Sequence, residues 1–162
     1  MHPPEGGKNR VFFHDGALLF NYMKIKIING PNLNLLGTRQ PHIYGSLRFE
    51  EYLQQLRAEF AGVEITYFQS NHEGVLIDEI QSMIDSDYAA LVLNPAAYGH
   101  TSIALADALA CLSIPVIEVH ISDISQRESY RHHTYTSAYA QHMITGKGLD
   151  GYREAIDLIL HK

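Results

Sequence analysis

The chain has 162 residues, a net charge of −6, 46% hydrophobic and 19% charged residues, and a single cysteine. That balance describes one globular domain with a sizeable core. Its dispersed basic residues leave no footprint for nucleic acid, no apolar run reaches the roughly 18 residues of a membrane span, and a lone Cys111 excludes an internal disulfide and fits a reducing, cytoplasmic compartment.

Residues 1–22 stand apart. They open on Pro3-Pro4 and Gly6-Gly7, and His14-Asp15-Gly16 interrupts their apolar part without a cleavage site, which makes a poor signal peptide. We expect a flexible extension over 1–22 and a single catalytic domain over 23–162. From Met23 onward strand and helix signals alternate. An apolar run at 25–28 predicts the first strand. A long loop follows at 30–45. Ser46 is a candidate cap for a helix with Glu50 and Glu51 in its first turn and an apolar stripe of Phe49, Leu53, Leu56 and Phe60, closed by Gly62. Alternation at Val63, Ile65, Tyr67 and Gln69 predicts strand two.

Ser70-Asn71-His72 opens a second helix, with Leu76, Ile80, Met83 and Ile84 on one face. Residues 89–93 are continuously apolar, the mark of a strand covered on both faces. A third helix is expected at 102–112, strand four at 115–119, a short fifth strand around Met143-Ile144, and a last helix from Gly151 with Tyr152, Ile156, Ile159 and Leu160 inward. The third helix is apolar nearly all round, with Asp107 its only charge. A surface helix should carry a polar face, so this one is expected to pack on the sheet and on another subunit. Cys111, in the same apolar pattern, is expected to be a buried, inert thiol.

This alternation predicts an α/β fold: a flavodoxin-like, doubly wound, five-stranded parallel sheet in the order 2-1-3-4-5, with helices on both faces. Ligands in such sheets sit beyond the carboxyl ends of the strands, at the switch between strands one and three. The chemically unusual residues fall there. Asn32, Arg39 and Tyr44 follow strand one, Asn94 and His100 follow strand three, and His120, Ser122, Arg127 and Arg131 follow strand four.

Singly, each has a plain structural reading: Tyr44 as a turn aromatic, Arg39 as a solvated charge, Asn32 and Asn94 as turn residues, His100 as a helix cap, and Arg127, Glu128 and Arg131 as one exposed face. Together they make a chemical set. Arg39 beside Tyr44 favours a phenolate base, and His120 is a general acid. Glu118, two residues earlier on the same strand and face, orients the imidazole and favours its protonated form. Asn32 and Asn94 offer amide donors, and Arg131 can hold a carboxylate. A base, an acid and oxyanion donors without a nucleophile point to proton abstraction beside a carbonyl, followed by loss of water. No phosphate loop or metal motif accompanies them, and no lysine lies in the crevice loops for a Schiff base. The loop at 30–45, with two Pro and three Gly, is expected to be a lid carrying its own base.

Several separated motifs resemble one family. They are Ile28-Asn29-Gly30-Pro31-Asn32-Leu33-Asn34-Leu35-Leu36-Gly37, then Arg39-x-Pro-x-x-Tyr44-Gly45, His100-Thr101-Ser102-x-Ala104-Leu105-x-Asp107-Ala108, Glu118-Val119-His120-Ile121-Ser122 and Arg131-His132-His133. In this order they are similar to type II 3-dehydroquinate dehydratases of the shikimate pathway. The resemblance implies a metal-free, cofactor-free anti elimination through an enolate, from 3-dehydroquinate to 3-dehydroshikimate. In it Tyr44 is the base activated by Arg39, Asn32 holds a water on the enolate, and His120, supported by Glu118, is the acid. Asn94, His100, Ile121, Ser122 and Arg131 position the substrate. Asp107 serves a neighbouring subunit's site in a dodecamer of trimers. Ala96, Gly99, Ala106, Asp123 and Ser125 depart from the family's usual residues. A catalytically silent, flavodoxin-like binding module is the alternative reading.

Overall fold

The computed structural model describes residues 11–14, 17–20, 22–38 and 46–161, the first two stretches as backbone only. Within the expected extension, β1 (Val11–His14) and β2 (Ala17–Phe20) pair as an antiparallel hairpin. A second sheet carries the body of the chain. Its strands are β3 (Met23–Asn29), β4 (Val63–Gln69), β5 (Ala90–Asn94), β6 (Val116–His120) and β7 (His142–Thr145). They are parallel and ordered β4-β3-β5-β6-β7. This is the expected 2-1-3-4-5 order, with the chain reversing its direction of travel between β3 and β5.

Helices α1 (Phe49–Glu59) and α4 (Asp150–Leu160) cover one face, and α2 (Glu73–Gln81) and α3 (Ile103–Ala110) the other. Each face has its own core. Phe49, Leu53, Leu56, Tyr152 and Ile156 pack on Ile25, Ile27, Val92 and Val119. Leu76, Ile80, Leu105 and Leu109 pack on Ile28, Leu91 and Leu93. Burial from both sides is why β5 and β6 carry no exposed residue.

Several boundaries differ from the sequence reading. Helix α1 starts at Phe49, not after Ser46. Arg48 is its N-cap, and the Glu51 carboxylate accepts from the Arg48 N–H at 3.2 Å. It ends at Glu59, so Gly62 lies in the following turn. Helix α2 stops at Gln81. Met83 is still buried, but Ile84, expected inward, is exposed because the chain has already turned toward Asp85 at φ 57°. Ser102, not His100, caps α3, its Oγ accepting from the Leu105 N–H at 2.9 Å. Cys111 is exposed rather than buried. It lies one turn beyond Asp107 on the outward face and donates its S–H to the Asp107 carbonyl at 3.4 Å. Strands β5 and β6 each run one residue later than expected, and that shift sets Asn94 and His120 as the last residues of their strands.

Candidate active site

At the carboxyl ends of β3, β5 and β6 lies a crevice of about 320 Å³. Its apolar wall is Pro31, Leu33, Leu36, Ile121 and Ile124, and its polar lining includes Asn32, Asn94, His100, His120, Ser122, Glu128 and Arg131. That size is at the small end of ligand pockets, which run from about 300 to 1,000 Å³.

The switch point is tight. Gly30 donates its N–H to the Asn94 carbonyl at 2.8 Å, and a β-carbon at Gly30 would come within 2.4 Å of the Pro95 carbonyl. Only glycine allows the two loops this contact. Asn32 follows in the left-handed region, φ 66°, a conformation Asn tolerates better than most residues. Its N–H donates to Asn71 Oδ1 at 2.9 Å, and its carbonyl accepts from Leu35 at 3.0 Å, which ties the loop to the start of α2. Segment 39–45, the later part of the expected lid with Arg39 and Tyr44, lies outside the described residues.

Strand β6 brings Glu118 and His120 onto one face. Glu118 is 0% exposed and His120 4%. Glu118 Oε1 accepts from His120 Nε2 at 2.6 Å, and Oε2 is buried without a partner. The carboxylate therefore fixes the ring and the nitrogen that carries its proton, leaving Nδ1 as the second nitrogen. The His100 ring lies 5.7 Å from the His120 ring. His100 Nδ1 is 2.8 Å from the His133 carbonyl. A carbonyl only accepts, so Nδ1 holds the hydrogen and Nε2 of neutral His100 is an acceptor. Partial burial lowers the His100 pKa below its ordinary 6.5 against a raising hydrogen bond to His133, with His120 and Arg131 lowering it further.

Asn94, 2% exposed, accepts from the Ala96 N–H at 3.1 Å and donates to Tyr152 Oη at 2.8 Å. Ala96 itself stands at φ 51° and lines the crevice. Ser122 Oγ accepts from Arg127 Nη1 at 3.2 Å. Arg131 donates Nε–H to Glu128 Oε2 at 2.9 Å, and Arg127 Nε is 3.5 Å from the same oxygen. Glu128 thus holds two guanidinium groups at one rim.

Eight expected residues lie at this crevice: Asn32, Asn94, His100, Ile121, Ser122, His120 and Arg131 line it, with Glu118 behind His120. Asp107 does not. It is exposed on the outward face of α3, beside Ile103 at 60% exposure. His132 and His133 point to different partners, the Arg127 carbonyl and the Tyr135 ring. Among the described residues no group of three His, Cys, Asp or Glu side chains is set to hold a metal. Three supporting residues escape a reading of the sequence. Asn71 looked like a helix start, Glu128 like a solvated charge and Tyr152 like core.

A doubly wound sheet with a histidine–carboxylate pair and an arginine rim at its switch point defines a flavodoxin-like α/β protein built for acid–base chemistry on a small polar molecule. Comparison with known proteins narrows this. The family described as dehydroquinase class II matches residues 23–160. The 3-dehydroquinate dehydratase of Helicobacter hepaticus is 50% identical over 140 residues, 85% of this chain and 89% of that one. That of Herminiimonas arsenicoxydans is 49% identical over 140 residues, 85% of this chain and 97% of its own. The crystal structure of a type II dehydroquinase from Butyrivibrio crossotus superposes with a TM-score of 0.81 at 46% identity, covering 85% of this chain and 97% of that one. The chain belongs to the class II dehydroquinase family.

Proposed function

We propose that this chain is a 3-dehydroquinate dehydratase of the shikimate pathway, a lyase that forms 3-dehydroshikimate and water. The observation that carries the chemistry is the buried Glu118–His120 pair opening onto a crevice with Asn32, Asn94, His100 and Arg131 around it. Tyr44 takes the proton from the carbon beside the ketone, and Arg39 favours its phenolate. The electron pair left on carbon passes to the carbonyl oxygen as an enolate, which Asn32 stabilises through a bound water. The enolate then collapses, the carbon–oxygen bond to the leaving hydroxyl breaks, and His120 delivers a proton so that water departs. Glu118 acts through His120. Asn94, His100, Ile121, Ser122 and Arg131 hold the hydroxyls and the carboxylate of the substrate. No cofactor takes part.

Residues 23–162 form the catalytic domain and 1–22 an extension, in keeping with a family match that begins at residue 23. The chain works in the cytoplasm as a dodecamer of trimers, with Asp107 reaching a neighbouring subunit's site. The support for this is the exposed Ile103, Ala104, Asp107 and Ala110 on α3. A monomeric mass in solution would exclude the assembly. The activity is tested by incubating the purified chain with 3-dehydroquinate and following the absorbance of the conjugated enone product. Tyr44→Phe should abolish turnover with the fold intact. Near-normal rates in that variant would remove Tyr44 as the base.

A further inference from the structure

Asn29 and Asn94 end adjacent parallel strands and pair in register. Both are buried, at 0% and 2% exposure. A buried amide needs partners for its carbonyl and its NH₂ group, and here the partners impose one direction. The Ala96 N–H can only donate, and it lies 3.1 Å from Asn94 Oδ1. That contact settles which end of the Asn94 amide is oxygen. The other end, Nδ2, can only donate, and it lies 2.8 Å from Tyr152 Oη. The phenol must therefore accept from Asn94 and give its own hydrogen elsewhere. Asn29 Oδ1, 2.8 Å away, receives it.

Three hydrogen bonds thus run in a single sense from Ala96 through Asn94 and Tyr152 to Asn29. Ala96 and Asn94 line the crevice, whereas Tyr152 and Asn29 lie behind it. The Tyr152 ring is wholly buried and meets Phe49 edge-on at 4.9 Å. Burial pushes its phenol well above the ordinary value, so it stays a neutral hydroxyl able to accept and donate at once. Asn94 Nδ2 carries two hydrogens, and Tyr152 takes only one.

We propose that Tyr152 is a positioning residue of the active site. Its hydroxyl, aimed by Asn29, locks the Asn94 amide so that the second Nδ2 hydrogen is presented to an oxygen of the bound substrate. The assignment rests on the dehydratase reading, in which Asn94 touches the substrate.

Tyr152→Phe keeps the ring and removes the hydroxyl, which frees the Asn94 amide to turn. It should raise KM for 3-dehydroquinate about tenfold and lower kcat less than about threefold. The deciding measurement repeats the substitution in an Asn94→Ala background. If Tyr152 acts through Asn94, it changes kcat/KM there by less than about twofold. A merely structural tyrosine would lower Tm and leave KM alone, or multiply its effect onto Asn94→Ala, and either result overturns the proposal. Should Tyr152→Phe fail to fold, Asn29→Ala removes the acceptor that aims the hydroxyl. It should raise KM by a smaller factor, again only when Asn94 is present, and an unchanged KM overturns the proposal. A wild-type chain inactive on 3-dehydroquinate removes the dehydratase reading and the Tyr152 assignment with it. An active wild type with independent effects removes the Tyr152 assignment alone.

Discussion

Glu118→Gln replaces a fully buried carboxylate with its amide and changes almost no volume. The wild-type carboxylate holds His120 Nε2 at 2.6 Å, with the two side chains 0% and 5% exposed. A hydrogen bond to a charged group contributes about 1.5–3 kcal/mol and a neutral one about 0.5–1.5. The substitution therefore loses roughly 1–1.5 kcal/mol of ring orientation, and each 1.36 kcal/mol is about a factor of ten in rate. A second loss arises when the imidazole is cationic in the reacting complex, because the amide offers no counter-charge. Together these should lower kcat about 10- to 100-fold, while KM moves less than about threefold because Glu118 touches no substrate atom. The assay is the initial rate of enone formation at saturating 3-dehydroquinate, with circular dichroism and a thermal melt on the same preparation. Glu118→Ala is the poorer probe, since it also opens a cavity and strands a buried imidazole. A folded Glu118→Gln protein with kcat within about twofold of wild type would refute the reasoning, since proton delivery would then not depend on the carboxylate.

Glu128→Ala should raise KM about fivefold with Tm nearly unchanged, because the exposed carboxylate pre-sets the Arg131 and Arg127 forks without adding much stability. A fall in KM would show instead that Glu128 competes with the substrate's carboxylate. Ala96→Gly relieves a left-handed backbone at φ 51°, worth about 1 kcal/mol, against the similar entropic cost of a glycine. Its Tm should stay within about 3 °C of wild type while KM falls as a methyl leaves the crevice, and a higher KM would count against crowding there. His100, whose pKa lies below 6.5 in the fold, is neutral in both folded and unfolded chains above that pH. As pH falls, the unfolded chain takes the proton first, so stability is lost below about 6.5. Substrate binding should weaken at lower pH still, as the folded His100 Nε2 turns from acceptor to donor, while Glu128, its pKa lowered by hydrogen bonding and its arginine neighbours, stays ionised. A KM that rises with falling pH equally in wild type and in His100→Gln would remove His100 from the binding shell.

Much of the fold was legible because the inner strands β5 and β6 are buried on both faces. Residues 90–93 cannot be amphipathic when helices cover them twice, so their continuous apolar run was a direct trace of the architecture. Helix ends were less legible. Ser46 has the chemistry of a cap, but the cap interaction that forms is the Glu51 carboxylate on the Arg48 N–H. Cys111 misled because an apolar pattern marks a covered face without saying what covers it, and within one chain that face is open. At the site, Glu118 and His120 were readable because a spacing of two on a strand fixes a shared face. Tyr152 was not, since its partners lie 58 and 123 residues away. A tyrosine at helical spacing looks like core, and its ring is core. Only the hydroxyl belongs to the site.

That division explains why a crevice forms here at all. Strands β3, β5 and β6 are sealed by helices along most of their length and end in Asn29, Asn94 and His120. A polar side chain at such an end has no solvent beside it, so it must bond a neighbour, the backbone or a ligand. Asn29 Oδ1 accepts from Tyr152 while its buried Nδ2 makes no hydrogen bond among the described residues, and His120 is held through Glu118. Asn94 is the intermediate case. One end of its amide is anchored to backbone, one hydrogen is given to Tyr152, and its lining position leaves the other hydrogen for whatever fills the crevice. Inward anchoring and outward binding are thus two uses of the same amide. A substitution behind the crevice should then be read out as lost affinity before lost stability, which is the ordering that the Tyr152→Phe and Asn94→Ala cycle measures.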